Sequence, residues 1–117
     1  MKVGYKALLE AAEREIETLD QKAAQALLND PDVVFVDIRD PASYRQAHIP
    51  GAIQLNDGNV QAFLQNTAKE QAVVVYCYHG NSSLGATAFL IENGFTNVAS
   101  MSGGFEAWRP VYEHEAE

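Results

Sequence analysis

Cysteine is nearly absent from this chain of 117 residues: it has one, Cys77. A lone thiol closes no internal disulfide, which suits a reducing compartment, and it cannot serve as half of an intramolecular attacking-and-resolving pair. Any adduct formed on Cys77 must be resolved by an outside molecule. Basic side chains are also scarce, with 8 Lys and Arg against 16 Asp and Glu, for a net charge of −8. Such a surface repels phosphate backbones and anionic lipid, so partners of nucleic-acid or membrane type are not expected. No apolar run approaches the length of a membrane span. The opening residues Met1 to Lys6 lack the apolar stretch and small-residue cleavage site of a secretory signal, and a cytoplasmic protein is expected. Internal repeats and low-complexity segments are missing as well. What remains is an ordinary globular composition, 47% hydrophobic and 21% charged, at the length of one domain.

The pattern along the chain alternates helices with strands. Leu8, Leu9, Ala12 and Ile16 fall at helical spacing, so Tyr5 to Glu17 reads as an amino-terminal helix leading into a short extended piece at Ile16 to Leu19. Asp20 suits the cap of a second helix, Gln21 to Leu28, which Asn29-Asp30-Pro31 ends. Val33 to Ile38 is nearly continuous and β-branched, the signature of a parallel strand covered on both faces. Asp40-Pro41 opens a helix to about Ala47, and His48 to Ile53 reads as a turn and a small strand. Val60 to Gln65 is a further helix. Val73 to Tyr76 repeats the buried-strand pattern, and its helix runs from Leu84 to the stop at Asn93-Gly94. Val98 to Met101 is a short strand, and Gly103-Gly104 leads into a last helix at Phe105 to Trp108, broken by Pro110. The expected fold is α/β: a central, mostly parallel sheet with helices on both faces. Residues 1–15 form an added amino-terminal helical extension, 16–112 the domain, and 113–117 an acidic tail expected to be solvated and frayed.

Cys77 stands at the carboxyl end of the Val73 strand, and Tyr78-His79-Gly80-Asn81-Ser82-Ser83 separates it from the helix. In sheets of this kind the ligand site lies beyond the carboxyl ends of the strands. Asp37 with Arg39, Cys77, and Gly103-Gly104 all fall there, so three segments converge on one rim. No proline interrupts the loop, so every loop residue keeps its N–H, and a tight turn into a helix aims such donors at an anion. Helix amino ends and cations convert a cysteine from a thiol ionising at about 8.5 into a reactive thiolate. The loop holds no Lys or Arg, so dipoles must do most of this, with Arg39 the nearest cationic helper. Gly80 permits a left-handed bend, and Ser82 or Ser83 suits the helix cap. The plain alternative is a small buried hydrophobe ending a strand.

Several chemistries compete for such a cysteine. A phosphatase or arsenate reductase would carry an arginine where Ser83 stands, to grip a phosphoryl or arsenyl group with two hydrogen bonds. Without it the charge clamp is missing. Sulfur transfer demands less: a thiolate attacks a sulfane sulfur and an oxyanion such as sulfite departs. His79 either touches substrate and tunes Cys77 or is a solvated loop histidine. His48 is expected to pin the turn at Ile49-Pro50-Gly51. Cys77, His79 and His48 make no recognisable zinc set, so neither metal nor cofactor is expected. Asp37 either anchors the loop or pairs with Arg39, and Phe105 and Trp108 read as core.

Val36-Asp37-Ile38-Arg39-Asp40-Pro41, His48-Ile49-Pro50-Gly51-Ala52, the Cys77 loop and Gly103-Gly104-Phe105-Glu106-Ala107-Trp108 resemble, in that order, the motifs of the rhodanese family. The resemblance covers about Ile16 to Trp108. It implies a single rhodanese-like domain with thiosulfate sulfurtransferase activity. Cys77 would take sulfur from thiosulfate, release sulfite, and pass the sulfur to cyanide or a thiol. Tyr78, His79, Gly80, Asn81, Ser82 and Ser83 would bind substrate and persulfide through their backbone amides, with Arg39 as a further substrate contact. The alternative within this chemistry is a persulfide carrier or docking module loaded by a protein sulfur donor, its acidic surface meeting a basic partner.

Overall fold

A computed structural model describes residues 16–117, so the expected helix from Tyr5 lies almost wholly outside the described residues. Five strands form one sheet: β1 (Glu17–Leu19), β2 (Val33–Asp37), β3 (Ile53–Gln54), β4 (Ala72–Tyr76) and β5 (Val98–Met101). Their order across the sheet is β1-β5-β4-β2-β3, and all four pairings are parallel. Parallel neighbours need crossover connections, which the helices provide. These are α1 (Gln21–Ala26), α2 (Pro41–Gln46), α3 (Val60–Asn66), α4 (Ser82–Glu92) and α5 (Gly104–Trp108).

Alternation along the central strands sorts the core into two layers. Val74 and Tyr76 of β4 face one side, with Phe35, Ala24 of α1, and Phe105 and Trp108 of α5. Val73 and Val75 face the other, with Val36, Val60 of α3, and Ala86 and Leu90 of α4. A strand buried on both faces needs apolar residues at every position. This is why β2 and β4 read as continuous runs in the sequence.

The capping chemistry holds at two of the three expected places. Asp20 accepts from Ala23 N at 2.8 Å at the head of α1. Asp40 accepts from Ser43 N at 3.0 Å at the head of α2, with Pro41 at the first helical position. At α4 the expectation is corrected: Asn81 is the cap residue and makes no side-chain cap bond. Ser82 and Ser83 lie inside the first turn, and the Ser83 hydroxyl is turned away to the cysteine. The frayed tail is a second correction. His48 and Glu115 form an antiparallel bridge, with His48 N donating to Glu115 O at 2.8 Å and Glu115 N to His48 O at 2.9 Å. The carboxyl end is thereby strapped to the turn after α2. Among the described residues no helix is long and apolar enough to cross a membrane.

Candidate active site

The site is assembled from the carboxyl edge of the sheet. Asp37 and Tyr76 are register partners at the ends of β2 and β4, and Cys77 follows immediately. The chain turns back at Gly80, whose φ of 96° is a left-handed conformation that only glycine takes without strain. It then enters α4, so the loop closes around the sulfur.

Cys77 is 3% exposed, and its Sγ faces three hydrogen-bonding groups of its own loop. Gly80 N donates to it at 3.1 Å and Ser83 N at 3.2 Å, and Ser83 Oγ lies 3.4 Å away. A sulfur that receives two amide N–H groups is matched to a form that accepts hydrogen bonds, a thiolate or the inner sulfur of a persulfide. The eleven residues of α4 add the positive end of a helix dipole behind the loop. On the open side Cys77, Tyr78, His79, Asn81 and Ser82 line a cleft of about 130 Å³. That is room for a small anion beside the sulfur.

Two further segments hold the loop in place. Phe105 N donates to Cys77 O at 2.8 Å and Glu106 N to Tyr78 O at 3.0 Å, so the head of α5 grips the first two loop carbonyls. This close approach explains Gly103-Gly104: a Cβ on Gly104 would meet His79 N at 2.6 Å and the Tyr78 carbonyl closer still. On the other flank Tyr78 donates its hydroxyl to Asp40, and Ser43 Oγ lies 2.6 Å from Tyr78 Oη while donating to Asp40 at 2.8 Å. These bonds, Tyr78 first and Ser43 next, hold the Asp40 carboxyl down at about 2. The same bond to Asp40 pushes the Tyr78 phenol up.

Arg39 sits beneath the loop, 5% exposed. Its Nε lies 3.1 Å from both oxygens of Asp37, and its Nη2 lies 2.7 Å from Asp37 and 2.6 Å from Ala47 O. Its Cζ stacks 4.2 Å from the centre of the Phe105 ring and 5.6 Å from that of Tyr78. Burial works against its charge, but the hydrogen bonds and charge of Asp37 outweigh that and raise its pKa. The three segments expected to converge therefore do so, but Arg39 is held by Asp37 and does not reach the cleft lining. His79 is exposed and lines the cleft. His48 is spent on the turn: Nδ1 donates to Tyr44 O at 2.6 Å and Nε2 lies 3.2 Å from Glu115. Among the described residues no three His, Cys, Asp or Glu side chains are grouped to hold a metal ion.

Sequence reasoning missed two groups here. Asp40 and Ser43 read only as a helix start, although both also hold Tyr78. Ser100 read as strand, yet its Oγ lies 2.7 Å from Ser83 Oγ. The available signal was a hydroxyl placed inside the otherwise apolar run Val98-Ala99-Ser100-Met101.

Known proteins resemble this chain in sequence and in fold. The Rhodanese-like domain family matches residues 20–110. A thiosulfate sulfurtransferase GlpE from Tolumonas auensis is 47% identical over 93 residues, 80% of this chain and 88% of that one. A protein of the same name from Pseudoalteromonas translucida is 46% identical over 91 residues, 78% of this chain and 87% of that one. Among solved structures, a Rhodopseudomonas palustris protein of unknown function, named as a possible tyrosine phosphatase, superposes with a TM-score of 0.76. It is 35% identical, with 94% of this chain and 92% of that chain covered. A family match across most of the chain, relatives of this identity, and a parallel sheet that ends in a donor-lined cysteine loop agree, and the chain belongs to the rhodanese family.

Proposed function

We propose that this chain is a thiosulfate sulfurtransferase working through a persulfide on Cys77. The single observation carrying this reading is the pair of amides, Gly80 N and Ser83 N, directed at Sγ within 3.2 Å. In the first half-reaction Sγ attacks the outer sulfur of thiosulfate. A new S–S bond forms, the old one breaks, and sulfite leaves with the electron pair. In the second, a thiolate or cyanide attacks the outer sulfur, and Sγ takes back the pair as it leaves. No redox partner or cofactor is needed, because the sulfane sulfur passes between nucleophiles.

Each loop residue has a part in this. Cys77 is the nucleophile; Gly80 makes the bend, and Ser83 supplies an amide to the sulfur. Tyr78, His79, Asn81 and Ser82 wall the cleft that admits the donor. Arg39, held by Asp37 and covered by Phe105, supports the loop from beneath without gripping thiosulfate. With no free cation in the loop, attraction of the dianionic donor rests on peptide dipoles, and the −8 net charge opposes it only over a screening length of about 8 Å. The phosphatase name of the structural neighbour does not carry over, because Ser83 stands where phosphoryl transfer would want an arginine. A thiol, small or protein-borne, is the natural acceptor, and a reducing cytoplasm keeps Cys77 unpaired.

Intact-mass measurement after incubation with thiosulfate tests this. The wild type is expected to gain one sulfur atom and to yield thiocyanate on addition of cyanide, and Cys77→Ala to do neither. A wild type that stays unmodified and yields no thiocyanate removes the assignment. Loading by a protein persulfide donor with no loading by thiosulfate would turn the assignment to the carrier reading.

A further inference from the structure

Two hydroxyls lie behind Cys77, and neither side chain is exposed to solvent: Ser83 and Ser100 are both fully buried. Ser100 belongs to β5, where its register partner in β4 is Val75. Its neighbours Val98, Ala99 and Met101 are all buried and apolar. A hydroxyl among them is costly unless it is hydrogen-bonded. Its side-chain partner is Ser83 Oγ, at 2.7 Å. Thr87 completes the cluster by donating its hydroxyl to Ser83 O at 2.7 Å, which fixes the first turn of α4.

The Ser83 hydroxyl has one hydrogen and two neighbours, Cys77 Sγ at 3.4 Å and Ser100 Oγ at 2.7 Å. If that hydrogen points to Ser100, a lone pair faces the sulfur, and an anionic sulfur is repelled. If it points to the sulfur, the Ser83 oxygen is left to accept, and Ser100 is placed to donate. The second arrangement forms a chain in one direction, Ser100 to Ser83 to sulfur, in which each bond polarises the next. Only this arrangement is attractive to a sulfur without a hydrogen.

We propose that Ser100 is a positioning residue that orients the Ser83 hydroxyl toward Cys77, adding a side-chain donor to the two amides that hold the sulfur anion. The proposal rests on the reading of Cys77 as the sulfur-carrying nucleophile. The chain acts when Sγ carries charge: in the free enzyme before attack, and in the second half-reaction as the electron pair returns to Sγ. No proton changes owner, since both hydrogens stay on their oxygens. Ser83 thus fills the place where a phosphatase needs arginine with a donor that carries no charge. That suits a single sulfur anion better than a phosphoryl group.

Alkylation of Cys77 by iodoacetamide, followed across pH, reads the anion directly and does not depend on which sulfur donor the protein uses. Ser83→Ala is expected to move the midpoint of that profile to higher pH, changing the ratio of anion to thiol by about tenfold. Ser100→Ala is expected to move it the same way by a smaller amount, about two- to threefold in that ratio. In the Ser83→Ala background the second change should add nothing, because Ser100 acts only through Ser83. Ser100→Thr keeps the hydroxyl and should sit near the wild type. A midpoint that moves down in Ser100→Ala would mean that Ser100 withholds the Ser83 hydrogen, and would overturn the proposal. So would no shift, or an equal shift in both backgrounds, which would mark a structural role. Failure of thiosulfate to load the wild type would count against the proposed activity alone and leave this alkylation profile interpretable.

Discussion

Gly104 shows how little room the loop leaves at the level of single atoms. Its φ is 64°, and an added Cβ would press on the Tyr78 carbonyl and lie 2.6 Å from His79 N. Those are backbone atoms, so no side chain can swing aside to relieve the contact. Gly104→Ala is expected to lower stability by about 1–3 kcal/mol through the left-handed backbone and the clash together. Because the loop must move to relieve it, sulfur loading from thiosulfate should fall by about tenfold or more. Denaturant unfolding and intact-mass loading rates on the same variant check both parts, and unchanged loading would show that the loop does not need this contact. Much of the site at this scale is legible in the sequence. Gly80 and the Gly103-Gly104 pair are residue types that few other structural reasons require at those places, and Cys77 is marked by the polar loop and helix that follow it. Ser100 is legible only as a hydroxyl out of place in an apolar strand, and the strand does not say which distant hydroxyl it meets. The Ser83 hydroxyl is misread for a related reason: its local role as a cap competes with a tertiary partner, and the tertiary partner prevails.

Among the elements, the start of α2 carries two jobs. Asp40 caps the helix through Ser43 N and also holds the Tyr78 hydroxyl at the mouth of the cleft. Its carboxyl is held down at about 2, against an ordinary 3.8. A depressed acid contributes stability that is present above its unfolded pKa and is lost as pH falls through the folded one. The cap and the Tyr78 tether should therefore weaken between about pH 4 and pH 2. An NMR titration of the Asp40 carboxyl carbon should find its midpoint near 2, with the Tyr78 ring resonances moving in step. A midpoint near that of an ordinary aspartate would remove the tether. Helix and strand positions are well read from the sequence, because β4 is apolar throughout and β2 up to its last residue, Asp37, and Asp20 and Asp40-Pro41 signal starts locally. Element ends can still differ by a residue or two, even where a stop signal follows. The expected α1 end at Leu28 falls at Ala26, since Leu27 and Leu28 bond back to Ala24 and Gln25 as turns.

For the molecule as a whole, the parallel pairing of the five strands follows from strands alternating with helices, which the sequence makes plain, although their order β1-β5-β4-β2-β3 does not. The fate of the carboxyl end does not follow from it. Residues 113–117 look solvated because they are acidic and exposed, and only the folded chain brings them to a partner 67 positions earlier. There Glu115 exchanges two backbone bonds with His48, and its carboxylate accepts from Gly51 N at 3.2 Å. Glu117 N reaches Arg45 O at 3.0 Å, and Glu113 O accepts from the buried Trp108 indole at 2.8 Å. Cutting the chain after Tyr112 leaves the His48 backbone groups and the Trp108 N–H without these partners. At about 0.5–1.5 kcal/mol for each net bond, the shortened protein should lose about 2–4 kcal/mol in denaturant unfolding. None of the tail residues lines the Cys77 cleft. Sulfur loading at 25 °C should therefore stay near the wild-type rate while stability falls. Loading that fell with stability would instead tie the strap to the loop, through Phe105, which meets His114 edge-on and donates its N–H to Cys77 O. An unfolding curve unchanged by the truncation would mean that water replaces every bond the strap makes.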